Sequence, residues 1–269
     1  MPDVDLGDAV IHYEEAGDGP LAYVFCHGLG GSGEGFERED MAWYAERFRT
    51  ISWDNRGLGR SGQSAKYSLP LYAKDLDGLL GHLGIDRAVI FGVSWGGVVV
   101  QRFALDYPER CAAIVVDSSS SEVNPLSSEN WYMRGEIARL GYERAMAGRE
   151  MAAAFAGHVT VNEQPQLGDR VQPEHVDSYV AEARATAGLR EHPMTPELHR
   201  ISCPALIVGG GKDTVAGAGG SVVMARAIGD NARLEILQEA GHGTYRQGRQ
   251  EFRALLLEFL ADQGLYSGS

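Results

Sequence analysis
Cysteine is scarce in this chain: there are three in 269 residues (Cys26, Cys111 and Cys203), an odd number with no C-x-x-C pair. That excludes a disulfide framework, and a reducing, cytoplasmic setting is expected. Positive charge is short as well, with 24 Lys plus Arg against 37 Asp plus Glu and a formal net charge of −13. A nucleic-acid partner needs a basic face to meet phosphate, so none is expected. Nowhere does the sequence hold the ~18 uninterrupted apolar residues of a membrane span. Its first residues, Met1-Pro2-Asp3-Val4-Asp5, are acidic where a signal peptide is basic, so neither membrane nor export is expected. Neither H-E-x-x-H nor a paired Cys/His spacing occurs, and no metal is expected. Internal repeats and low-complexity tracts are lacking too. What is present is core material, 44% hydrophobic residues, in a length at which a folded chain buries roughly three quarters of the surface it exposes when unfolded.

Short apolar runs alternate with amphipathic stretches. Residues 22–26, 50–53, 88–91, 113–116, 205–208 and 234–237 are strand-length, and several are apolar throughout, as befits strands covered on both faces. Helical patterns at 36–48, 70–83, 96–106 and 249–262 lie between or after them, which predicts an α/β fold with a mostly parallel sheet. Val10-Ile11-His12-Tyr13 and its upstream neighbours predict a leading hairpin. Between about 118 and 201 no strand pattern appears, while 128–147, 150–157 and 173–187 read as helices. The chain is therefore divided into a core, 1–118 and 196–269, and a helical cap inserted at 119–195. The cap residues Trp131, Tyr132, Met133, Tyr142, Met146, Met151 and Phe155 are expected chiefly to pack it onto the core, with pocket lining as the second reading.

The strongest chemical motif is Gly92-Val93-Ser94-Trp95-Gly96-Gly97, between an apolar strand and a helix. G-x-S-x-G in that setting makes a sharp turn that lifts the serine hydroxyl clear of the sheet. A neutral hydroxyl is a poor nucleophile and needs a base, itself oriented by an acid. Downstream the chain offers both in order. Asp213 follows the strand 205–208, and His242 stands in Ala240-Gly241-His242-Gly243 after the strand 234–237. All three lie past the C-terminal ends of strands, where an open α/β sheet places its ligands. Asp117, at the end of the strand 113–116, is the rival acid.

With these motifs the chain resembles the α/β-hydrolase family over nearly its whole length. His27-Gly28-Leu29-Gly30-Gly31 resembles the family's His-Gly loop, and Asp54-Asn55-Arg56-Gly57-Leu58-Gly59-Arg60-Ser61 its D-x-R-G-x-G-x-S turn. The resemblance implies a cap after the sixth strand and an oxyanion hole built from the Leu29 and Trp95 backbone N–H groups. Those donors would stabilise charge that develops on the carbonyl oxygen in the transition state. The Asp54 to Ser61 turn is taken as structural, with Arg56 an ion-pair or loop anchor. Two departures are visible. Thr214-Val215-Ala216-Gly217 after Asp213 lacks the family's frequent proline, and Trp95 after the nucleophile is similar to the G-x-S-W-G form of the prolyl aminopeptidase branch.

The expected function is that of a serine hydrolase cleaving carboxylic esters or lactones of small to medium uncharged acyl groups, with no cofactor and no partner besides its small-molecule ester. The oligomeric state is left open. A prolyl aminopeptidase-like peptidase is the alternative; it would need a cap acid for an α-amine, and Glu122, Glu129 and Glu136 are equally available. Gly28-Leu29-Gly30-Gly31-Ser32-Gly33, with Asp54 about 20 residues on, also fits the dinucleotide fingerprint of an NAD-dependent oxidoreductase. That reading leaves Ser94, Asp213 and His242 without roles. A non-catalytic ligand receptor on the same fold is the remaining reading.

Overall fold
The computed structural model describes residues 2–139 and 171–267. The predicted helix at 150–157, the later part of the one at 128–147, and Tyr142, Met146, Met151 and Phe155 lie outside the described residues. Eight strands form one sheet: β1 (Asp3–Asp5), β2 (Val10–Ala16), β3 (Ala22–Cys26), β4 (Arg49–Trp53), β5 (Ala88–Val93), β6 (Cys111–Asp117), β7 (Ala205–Gly210) and β8 (Ala232–Leu237). Their order is β1-β2-β4-β3-β5-β6-β7-β8. The pairs β1–β2 and β2–β4 are antiparallel, and all pairs from β4 to β8 are parallel. The chain thus lays β4 on one side of β3 and β5 on the other. This reversal of direction opens a crevice at the carboxyl ends of β3 and β5.

The described helices are α1 (Glu34–Glu39), α2 (Met41–Ala45), α3 (Leu69–His82), α4 (Trp95–Asp106), α5 (Pro125–Arg139), α6 (Val176–Gly188), α7 (Gly217–Ile228), α8 (Thr244–Gln247) and α9 (Arg249–Asp262). Alternate residues of each central strand enter opposite cores. On one face Val24, Ile90, Ile114 and Ile207 meet Leu76 of α3 and Val99 and Phe103 of α4. On the other, Tyr23, Phe25, Phe91 and Val115 meet Phe36, Tyr44, Phe252 and Phe259 from α1, α2 and α9. Two-sided burial is why these strands are apolar at every position. Each such side chain taken from water, Phe91 for example, contributes about 1.5–3 kcal/mol. The three cysteines are free and buried, and none of the described helices is long and apolar enough to cross a membrane.

Two local expectations are corrected. The single helix over 36–48 is broken at Asp40, whose backbone leaves helical geometry (φ −127°). Its buried carboxylate instead accepts from Arg253 and Arg249 of α9, a distant partner that outweighs local helical continuity. Helix α7 is absent from the sequence reading, because its opening Gly217-Ala218-Gly219-Gly220 reads as loop. Here packing overrides propensity: a Cβ at Gly220 would lie 2.8 Å from the Ser119 carbonyl, and the Ser221 hydroxyl donates to the Val208 carbonyl at 3.3 Å.

Candidate active site
The turn after β5 is built by steric necessity. Ser94 adopts φ 55°, ψ −117°, a conformation a side-chain-bearing residue holds only when its surroundings enforce it. A Cβ at Gly92 would fall 2.3 Å from the Gly96 backbone, and one at Gly96 would fall 2.1 Å from the Cys26 carbonyl. Only glycine on both sides lets α4 start this close to β3. Ser94 remains tied to the sheet, its N–H donating to the Asp117 carbonyl at 2.9 Å.

Asp213 and His242 meet. The His242 Nδ1 lies 3.0 Å from Asp213 Oδ2, and the Val215 and Ala216 N–H groups donate to Asp213 Oδ1 at 2.7 and 3.1 Å. An imidazole that donates from Nδ1 presents Nε2 as its acceptor. Burial raises the Asp213 carboxyl, but the His242 hydrogen bond and charge and the two N–H donors outweigh it and hold the group below the ordinary carboxylate range. The carboxylate itself is 1% exposed, whereas the imidazole is 29% exposed. Ser94 and His242 line a common cavity of about 520 Å³. Their side chains are not hydrogen-bonded to each other, a common state of such pairs without substrate.

The rival acid is otherwise engaged. Asp117 Oδ1 accepts from the Ser118 hydroxyl (2.8 Å) and from the Thr244 N–H and hydroxyl (3.2 and 2.8 Å), and Oδ2 accepts from the Tyr245 N–H (3.0 Å). It therefore anchors α8, the short helix just after His242. Ser118, also at positive φ (51°), accepts from the Gly243 N–H at 2.9 Å. Gln247 brackets the loop, accepting from Gly241 N–H and donating to the His242 carbonyl.

Leu29 and Trp95 flank Ser94 around a second cavity of about 220 Å³. Among the described residues neither backbone N–H donates a hydrogen bond. His27 is fully buried between the Gly28 carbonyl and the Asn55 N–H, which pins the start of this loop. Burial holds its imidazole below the ordinary value, so it stands neutral. Asp54 is spent within its turn, accepting from Gly33 N–H at 2.6 Å and from Arg60, and is not free to hold a ribose. Arg56 forms a buried bidentate pair with Asp75. Of the three acids weighed for an α-amine, Glu122 lines the smaller cavity, Glu129 faces another pocket, and Glu136 pairs with Arg139 and Arg184. Among the described residues no group of three or more His, Cys, Asp or Glu side chains converges to hold a metal.

Sequence reasoning missed three side chains here. Arg134 and Arg246 line the larger cavity, which has no acid among its described lining residues; Arg246 pairs outside it with Glu39 and Asp40 at 3.7 and 3.6 Å. The Arg134 guanidinium lies 4.6 Å over the Trp131 ring, and its Nε is buried with no partner among the described residues. The i, i+3 spacing of Trp131 and Arg134 on α5 was the available signal. The third, Glu182 of α6, is completely buried and accepts from the Gly30 N–H.

Known proteins agree with this architecture. The chain is 29% identical over 273 residues (95% of this chain, 93% of the other) to 2-hydroxy-6-oxo-6-phenylhexa-2,4-dienoate hydrolase of Comamonas testosteroni. It is 26% identical over 241 residues (87% of each) to 3-oxoadipate enol-lactonase 2 of Acinetobacter baylyi. A hydrolase structure from Pseudomonas aeruginosa superposes with a TM-score of 0.76 at 25% identity, covering 96% of this chain and 97% of that one. The family model for the alpha/beta hydrolase fold matches residues 24–248, and with the sheet, the strained serine turn and the Asp213–His242 pair in view, the chain belongs to the α/β-hydrolase family.

Proposed function
We propose that this hydrolase cleaves carboxylic esters or lactones through an acyl-enzyme on Ser94, without a cofactor. The observation that carries the reading is the Asp213–His242 hydrogen bond, which leaves Nε2 of the imidazole free in the cavity that also holds the strained Ser94. In this mechanism His242 Nε2 takes the Ser94 proton as Oγ bonds to the carbonyl carbon. The charge that moves onto the carbonyl oxygen meets the two unengaged N–H groups of Leu29 and Trp95. Collapse expels the alkoxide, which recovers the proton from His242, and water repeats the sequence to release the acid. Asp213 holds the tautomer and stabilises the imidazolium.

The net charge of −13 favours uncharged acyl groups, but the larger cavity argues otherwise. Arg134, which lines the cavity with no ion-pair partner among the described residues, favours a substrate carrying a carboxylate. Two relatives, a dienoate hydrolase and an oxoadipate enol-lactonase by name, are in keeping with it. Among matched acetyl, butyryl, succinyl and aminoacyl esters, the succinyl ester should have the highest kcat/KM. Arg134→Gln should lower that value roughly tenfold, the worth of one charge-assisted hydrogen bond, while leaving the acetyl ester unchanged. Strong preference for prolyl amides would favour the peptidase instead. The reaction class is tested with a fluorophosphonate, which should label Ser94 once per chain and fail on Ser94→Ala. Labelling elsewhere, or none on folded protein, would overturn it.

A further inference from the structure
Glu182 sits in the middle of α6 at 0% exposure. A carboxylate so placed costs several kcal/mol unless donors meet it. Two donors do, one on the loop after β3 that lines the cavity and one on the turn after β4. The Gly30 N–H donates to Oε2 and the Asn55 Nδ2 to Oε1, each at 2.8 Å. Burial still raises the carboxyl, to about 8, against the pull of these donors and of the nearby Trp95 indole. Tyr179, one turn earlier on α6, closes on the same loop: a Cβ at Gly30 would lie 2.5 Å from its ring, and Gly30 has φ +64°. Ser178 adds a third anchor by donating to the Arg56 carbonyl at 2.7 Å. One face of a cap helix is thus bonded to the loops leaving β3 and β4.

The Gly30 nitrogen belongs to the same rigid plane as the Leu29 carbonyl. A carboxyl group that fixes this plane leaves only the two backbone dihedrals of Leu29 to set the direction of its own N–H. We infer that Glu182 is a positioning residue that locks the 29–30 peptide and so aims the Leu29 N–H at the oxygen of the reacting carbonyl. This rests on the acyl-enzyme reading above. It assigns the cap a part in the chemistry, whereas a cap that only covers the site would affect binding alone.

The test uses Glu182→Leu in the full chain. Leucine fills much of the same space but offers neither the Gly30 N–H nor the Asn55 Nδ2 an acceptor, whereas a glutamine could satisfy both by donating to the unpartnered Asn55 Oδ1 once that amide turns. Fluorophosphonate inactivation and kcat for a 4-nitrophenyl ester should both fall roughly ten- to a hundredfold, less than loss of a whole oxyanion donor. KM should stay unchanged, as should the acid limb of the rate profile, which belongs to His242. Asn55→Ala, which removes the second donor and leaves the carboxylate, provides the independent arm and should slow the same two rates several-fold. Should one variant fail to fold, the other decides. A folded variant that is inactivated at the wild-type rate, or that loses only KM and thermal stability, overturns the inference. Absence of labelling on the wild type would instead overturn the acyl-enzyme reading, so the two failures are distinguishable.

Discussion

Two aspartates at the ends of neighbouring strands have the same chemistry and different partners, and substitution should separate them. Asp213→Asn should keep the fold and lower kcat by about four orders of magnitude, as when a triad aspartate becomes its amide. Asp117→Asn should act mainly on stability. Asn offers one acceptor to the four donors that Asp117 serves, and each buried donor left unpaired costs about 1–3 kcal/mol. Thermal melts and kcat on both variants check this; equal catalytic losses would reject the assignment. The carboxyls of Asp213 and Glu182 also shift in opposite senses. Asp213 is held low when folded, so its contribution to stability is present above its unfolded value and is lost as pH falls through the folded one. Glu182 is raised to about 8, so its contribution is full below its unfolded value near 4.5 and is lost as pH rises towards 8. The Tm of Glu182→Gln relative to wild type should therefore improve between pH 5 and pH 8.5. A difference that worsens over this range would refute the sign. In the rate profile, kcat/KM should fall tenfold per pH unit on the acid side, since a protonated imidazole accepts nothing, and His242→Gln should abolish both limb and activity.

At the scale of elements, glycines divide into those the packing demands and those it tolerates. Gly96→Ala would drive a Cβ into the Cys26 carbonyl of β3, a backbone atom that has nowhere to go, and should abolish folding or shift Tm severely. Gly219 lies inside α7 with nothing within 4 Å of where a Cβ would stand. Gly219→Ala should stabilise by about 0.4–1 kcal/mol, chiefly by narrowing the unfolded ensemble. Paired melts of the two variants read this directly. The same distinction explains what could be read from sequence. The Ser94 turn was legible because its requirements fall within six consecutive residues, and the strands because both of their faces are buried. Helix α7 and the break at Asp40 were not, since each depends on a partner far along the chain. Glu182 is the extreme case: its donors are 152 and 127 residues away, and no local pattern marks a glutamate on a helix as buried.

At the scale of the whole molecule, the net charge does not describe the charge of the cavity. The excess of acid belongs to the chain as a whole, while the cavity beside Ser94 and His242 gathers two arginines, and only the folded arrangement separates the two. The segment that joins β6 to β7 is held at both ends. The Met194 N–H donates to the Ser121 carbonyl at 2.9 Å, and the hydroxyls of Ser121 and Thr195 lie 2.6 Å apart. The two ends of the segment 122–193 are thus stitched together. With its ends held, lengthening the segment adds only the slowly growing entropy of a larger loop, whereas exchanging it also forfeits the bonds of Glu182 and Ser178 to the loops after β3 and β4. An exchanged segment would have to bring its own group to hold the loop at Gly30.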